Sequence, residues 1–181
     1  MAISIQTLAE ADRRRAADWA AICANRVLHL FEAERPEDSR PRDAIARAQA
    51  FARGDLDAAT GIRQRFGGGS AGSEARSPAA VAAARAAGQA SAVCHMGAHA
   101  LGAAAYAVKA AALAAPEWQS AVEDEIDWQM AQLSPELRIA LRSLPPLGES
   151  RSGPLGPGLL ASGQVGEIIR QIQQRLAMDA L

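Results

Sequence analysis

Bulky side chains are scarce in this chain. Aromatic residues make up 4% of its 181 residues, and roughly a quarter of the chain is alanine. Alanine is the best helix former and fills little volume, so such a core gains density from close approach of helices. Cysteine is nearly missing: Cys23 and Cys94 lie far apart and form no C-x-x-C pair. That excludes a disulfide scaffold and fits a reducing, cytoplasmic compartment. Lys109 is the sole lysine, and the formal net charge is -1. No basic face results, which argues against a nucleic-acid partner. The opening "MAISIQTLAEADRRR" shows no basic-then-apolar leader pattern. Residues 89–108 carry no formal charge, but they are mostly Ala, Gly, Ser and His. That is too poor in large apolar residues for a membrane span. There is no clean internal repeat. Alternating apolar runs are lacking outside "AISI", which predicts at most a short extended arm.

What remains is helical. Apolar residues reach 49%, enough to exclude a disordered chain and to give one domain a core. Thr7 and Glu10 spell a T-x-x-E capping box, which predicts a helix from Leu8 to about Ala33 with an inner stripe of Trp19, Cys23, Val27 and Leu30. Arg35-Pro36 stops it. A charged loop, "RPEDSRP", leads into a helix over 42–53 that ends at Gly54. Asp55 is placed to cap a third helix over 56–66. "GGGSAGSEARS" reads as a flexible loop. The longest helix is expected over 78–115, roughly 57 Å if straight, with a bend or break near Gly88, Gly97 or Gly102. Two shorter helices follow, over 117–132 and from Ser134 to about Leu144. The expected organisation is an all-α bundle of about six helices over 1–144, with the alanine- and glycine-rich helix at its centre. A Pro/Gly/Ser-rich linker of low order (145–163) then leads to a C-terminal amphipathic helix (164–181) with Val165, Ile168, Ile169, Ile172 and Leu176 on one side.

The chemically distinctive stretch is "AVCHMGAHALG", with His95 and His99 four residues apart. On a continuous helix Gly88, Ser91, His99, Gly102, Tyr106 and Lys109 all fall within about 40° of His95. A H-x-x-x-H pair can ligate a metal, but nothing in the spacing selects a third donor, and Met96 stands where a zinc-protease helix has Glu. The favoured reading is a buried polar seam, with both imidazoles hydrogen-bonded to Glu32, Asp38 or Arg40. The alternative is a small-molecule or metal pocket, enzymatic or not, with Tyr106 and Lys109 at its rim. Cys94 and His95 are adjacent, so their side chains diverge by about 100° on a helix and make no nucleophile–base pair. Glu123, Asp124 and Asp127 share one helix side, which suits a solvated face or a patch for a basic partner. Trp128 is the expected core anchor and Trp118 the more exposed of the two. "DRRR" (12–15) is expected to face solvent.

Three stretches, "WAAICANRVLHLFEAERPEDSRPRDAI", "AAVAAARAAGQASAVCHMGAHALGAAAYAVKAA" and "DWQMAQLSPELR", resemble the putative immunity protein family, an all-helical family linked to bacterial polymorphic-toxin systems. The resemblance spans about residues 14–144. It rests on the order of Trp19, Cys23, Phe31, Glu32, Pro36, Asp38, Arg40 and Pro41, and then of His95, His99, Tyr106 and Lys109. It implies a non-enzymatic bacterial protein that binds and neutralises a toxin, with no catalytic residues or cofactor to carry over. The glycine-rich 67–77 loop departs from the family's charged helical segment, and the 145–181 tail lies outside the shared region. Alanine and glycine faces would also permit close pairing of helices between copies in a homo-oligomer.

Overall fold

The computed structural model describes residues 4–60 and 71–178. Among these the chain is all-α: α1 (Glu10–Glu32), α2 (Arg40–Arg53), α3 (Pro78–Ala92), α4 (His99–Ala114), α5 (Trp118–Ala131), α6 (Pro135–Arg142) and α7 (Gly163–Met178). Short 3-10 helices at Ile5–Thr7 and Leu159–Ala161 precede α1 and α7.

The local signals explain most boundaries. Gly54 closes α2 with φ 89°, a left-handed turn that glycine adopts without strain. Ser77 and Ser134 cap α3 and α6 by accepting from the main-chain N–H groups of Ala80 and Leu137, each ahead of a proline. At the third helix the cap is Asp57 rather than Asp55. The Asp57 carboxylate accepts from the N–H and hydroxyl of Thr60 at 2.8 and 3.0 Å, whereas Asp55 accepts from Arg53. Residues 58–60 are helical; the remainder of that predicted element, and positions 67–70 of the glycine-rich loop, lie outside the described residues. Downstream of 70 this loop is anchored, with Ala71 buried and Glu74 paired to Arg35 and Arg40.

One expectation fails at the N-terminus. Of the "AISI" arm, residues 2 and 3 lie outside the described residues, Ser4 is extended and Ile5 opens a 3-10 turn. The Thr7 capping box does not form: α1 starts at Glu10, Ala9 provides no side-chain cap, and Leu8 sits at φ 60°. The cause is tertiary. The Thr7 and Gln6 carbonyls accept from the N–H groups of Gly97 and Ala98 at 3.1 and 2.9 Å, which turns the chain away from the helix start.

The same contact breaks the long helix. Of the three places expected for a bend or break, Gly97 is the one used: the chain forms α3 and α4 with a break at 93–98. Gly97 fits because its missing Cβ would lie 2.6 Å from the Leu8 side chain. α4 is the centre of the bundle, with every residue from Ala100 to Val108 buried. It packs on α1, α3, α5 and α7, and α1 packs in turn on α2 and α3. Alanines line both α3 and α4: Ala83, Ala84, Ala86 and Ala87 face the core from one, Ala100, Ala103, Ala104 and Ala107 from the other. Trp19 supplies the bulk beside them and donates its indole N–H to the Gln129 carbonyl at 2.9 Å.

The tail is tied into this body. Residues 143–158 contain no helix, yet Leu147 and Leu155 are buried. Gln6, itself buried, donates to the Ser152 carbonyl at 2.8 Å and accepts from the Leu155 N–H at 2.9 Å. Gln173 bridges the Leu147 N–H and the Pro145 carbonyl. Proline and glycine deny this segment helix, while the Gln6 and Gln173 amides satisfy part of its backbone. α7 buries Val165, Ile168, Ile169, Ile172 and Leu176 against the bundle, so its apolar stripe is used internally.

Candidate functional site

The break at 93–98 reshapes the histidine site. His95 lies in the break rather than on a helix, and it is exposed; His99, the first residue of α4, is half-buried. The helical-wheel relation between them therefore does not hold. Both rings instead line one side of a cleft of about 310 Å³, with Gln89 and Met96 beside them. The opposite side is the segment 153–160, through Pro154, Leu159, Leu160 and three glycines. His99 Nδ1 and Gln89 Oε1 are 2.8 Å apart. An amide oxygen only accepts, so Nδ1 carries the proton and, in the neutral ring, Nε2 is the acceptor nitrogen. Gly102 permits this packing: a Cβ there would lie 2.6 Å from Gln89 Oε1 and 3.0 Å from a Leu160 methyl.

The proposed seam partners are elsewhere. α1 is 23 residues long, roughly 34 Å. The break docks at its N-terminal end through Thr7, while Glu32, Asp38 and Arg40 sit at its C-terminal end. The polar seam joining them to the histidines is thus corrected by simple length. Glu32 accepts from Arg42 at 2.9 Å. Asp38 and Arg40 form a bidentate pair at 2.8 and 2.6 Å, and Arg40 reaches Glu74 at 2.8 Å. With Glu34, Arg35 and Glu37 they border a charged hollow of about 390 Å³. The Arg40 side chain holds the Asp38 carboxyl below its ordinary range despite partial burial. Hydrogen bonding from Ser77, then from the Arg76 main chain, lowers Glu34 similarly.

Tyr106 and Lys109 do not reach the cleft. Tyr106 is buried in the middle of α4, with the Arg85 guanidinium 5.8 Å from its ring centre, and Lys109 is half-buried a turn further on. Among the described residues no three His, Cys, Asp or Glu side chains are placed to hold one metal ion.

On α5, Glu123, Asp124 and Asp127 are all exposed. Asp127 pairs with Arg175 of α7, and Glu123 accepts from Gln119 at 2.9 Å. Their neighbour Glu125 was not singled out from sequence, and it is the carboxylate that is buried. It accepts from Arg26 at 2.8 Å and from the Gln129 amide at 3.2 Å. Its period with Val122, Ile126 and Gln129 is the signal that places it inward. Trp128 is not the core anchor expected: it is half-buried, with the Arg26 guanidinium 3.9 Å above its ring, and Trp118 is half-buried as well. Trp19 fills the core instead. Of the 12–15 arginines, only Arg15 is exposed; Arg14 donates to the Phe51 carbonyl and stacks on its ring.

No helix among the described residues is long and apolar enough to cross a membrane. No curated protein and no solved structure matches the chain. A family model does, over residues 6–136, a stretch that holds α1 to α5, both histidines, the charged hollow and the acidic side of α5. By that match, which spans more than half of its length, the chain belongs to the family described as Imm-5 like putative immunity protein.

Proposed function

We propose that this protein is a non-enzymatic bacterial immunity protein that acts in the cytoplasm by binding a toxin protein and blocking it. The family match over 6–136 carries this reading. The surface that suits it best is the solvent side of α5, where Glu123 and Asp124 stand exposed beside the Asp127–Arg175 pair. A row of carboxylates on a rigid helix attracts a partner with a basic face and speeds encounter through long-range attraction. The half-buried Trp128, flattened under Arg26, gives that surface an amphipathic anchor of the kind enriched in protein interfaces.

Co-expression with candidate toxins of the source organism, one at a time, tests the proposal. The intact protein should restore growth, and a Glu123→Arg, Asp124→Arg variant that melts at the same temperature should restore it poorly. Growth arrest unchanged by the intact protein would remove the toxin-binding reading.

A further inference from the structure

We propose that the outer face of α6 is a self-association surface, covered in solution by the same face of a second copy of this chain. The two α6 helices run antiparallel about a two-fold axis through Ile139. This is independent of toxin binding, since none of the residues involved belongs to α5.

α6 turns Leu137, Ala140 and Leu141 inward. Its other side carries Pro135, Glu136, Ile139, Arg142 and the cap residue Ser143, all of them exposed. Among the described residues four large apolar side chains are exposed. Ile139, at 65%, is the one inside an α-helix; the others stand in 3-10 turns or at a helix end. Helix propensity gives no reason for isoleucine at a solvent position, where alanine or arginine serves better.

The charges around Ile139 match a two-fold. Glu136 lies three residues before it and Arg142 three after. On a helix they stand about 4.5 Å to either side of Ile139 along the axis, and about 60° to either side in angle. A half-turn about the Ile139 direction reverses both coordinates. It therefore brings Arg142 of one copy onto Glu136 of the other, twice over. Ile139 meets its own counterpart at the centre, and Pro135 faces the small Ser143. Opposite charges flanking an apolar centre are what fix partner and orientation in paired helices.

Both charged groups keep capacity for this. The Glu136 carboxyl is held below its ordinary range by its own main-chain N–H, then by the Ser134 hydroxyl, with Arg15 adding attraction. A carboxylate offers about four acceptor sites. Arg142 gives its Nε–H to the Arg138 carbonyl at 3.3 Å, one of about five N–H groups on a guanidinium. An apolar groove of about 200 Å³, lined by Leu141, Leu144, Pro146 and Leu176, runs beside Arg142 and widens the face. The alanine faces of α3 and α4 are buried within one chain, so they are not the surface that pairs. A face this small lies below roughly 1,200 Å² in total, which makes the dimer a weak one.

Sedimentation velocity of the full chain over a concentration series tests this, with the melting temperature as a check on folding. The native chain should pass from monomer to dimer with a midpoint of about 10–100 µM. Ile139→Ser should stay monomeric. Glu136→Arg and Arg142→Glu each set like charges against one another, and each alone should weaken association by about tenfold or more. Mixed in equal amounts, these two variants regain opposite charges at both contacts and should associate as the native chain does. A native chain that is monomeric up to about 1 mM, an Ile139→Ser variant that dimerises like it, or a mixture no better associated than either variant by itself would overturn the proposal.

Discussion

Arg26 and Glu125, 99 residues apart, form a 2.8 Å ion pair that joins α1 to α5. The two sides are unequal: the Glu125 side chain is 6% exposed and that of Arg26 43%. Arg26 also lies over the Trp128 ring, so one guanidinium neutralises a buried carboxylate and covers an indole. Removing Arg26 leaves Glu125 buried with only the Gln129 amide, whereas Glu125→Gln leaves a neutral, solvated alternative for Arg26. Urea unfolding should show Arg26→Ala costing about 2–4 kcal/mol and Glu125→Gln about 1 kcal/mol. The reverse order would contradict the assignment.

Gln6 is predicted to clamp the tail. Its amide is the hydrogen-bond partner of both the Ser152 carbonyl and the Leu155 N–H. Gln6→Ala should cost about 1–3 kcal/mol by stranding two backbone groups. Hydrogen exchange at the Leu155 amide should accelerate well before the α4 amides do. Uniform acceleration across the chain would mean that the tail has no separate hinge at Gln6.

α7 is predicted to be part of the core. Ile172, fully buried, lies on the stripe that α7 turns toward the bundle. Ile172→Ala should lower stability by about 2–5 kcal/mol through lost burial and a cavity. A change below 0.5 kcal/mol, roughly that of a surface substitution, would show α7 to be an appendage.

Asp38 should make stability fall in acid. Its folded-state pKa is depressed, chiefly by the Arg40 side chain, so its contribution is fully present above the ordinary carboxylate value of about 4. The contribution is lost as pH falls through the folded value. The gap in melting temperature between the native protein and Asp38→Asn should be present at neutral pH and close in acid, below that value. A gap that is constant with pH would assign the effect to packing.

Cys23 should be inert. Burial, then the charge of Glu125, pushes its thiol well above the ordinary range. Cys94 is buried too, with its Sγ donating to the Ser91 carbonyl. A thiol reagent should modify neither until denaturant is added; modification of the native chain would contradict the burial of both.

The fold was legible wherever a residue acts on its own neighbours. Gly54, Ser134-Pro135 and the Ile/Val stripe of α7 each signal a helix end or face over a few residues. The failures come from long-range contacts. Gly97 marked one of three places where the long helix could bend or break, but nothing local selects it, because the break is made by Thr7 and Gln6, some ninety residues earlier. That one contact undid the Thr7 capping box and the histidine wheel together. It also separated the histidines from Asp38 and Arg40, which the sequence brings close to Glu32 but not to residue 95. The contacts of the 145–163 segment were not legible for a related reason: they are made by the amides of Gln6 and Gln173. The exposure of Glu123, Asp124 and Asp127 was readable from helical period, and Glu125 could have been read from the same period.

Association between the purified protein and a purified candidate toxin, followed by stopped flow at low and high salt, addresses the proposed toxin binding most directly. Attraction through the α5 carboxylates predicts that the on-rate falls by about tenfold or more between low salt and roughly 0.15 M. Glu123→Arg with Asp124→Arg should slow it comparably at low salt while leaving the melting temperature in place. An on-rate indifferent both to salt and to these two reversals would place the toxin on another surface.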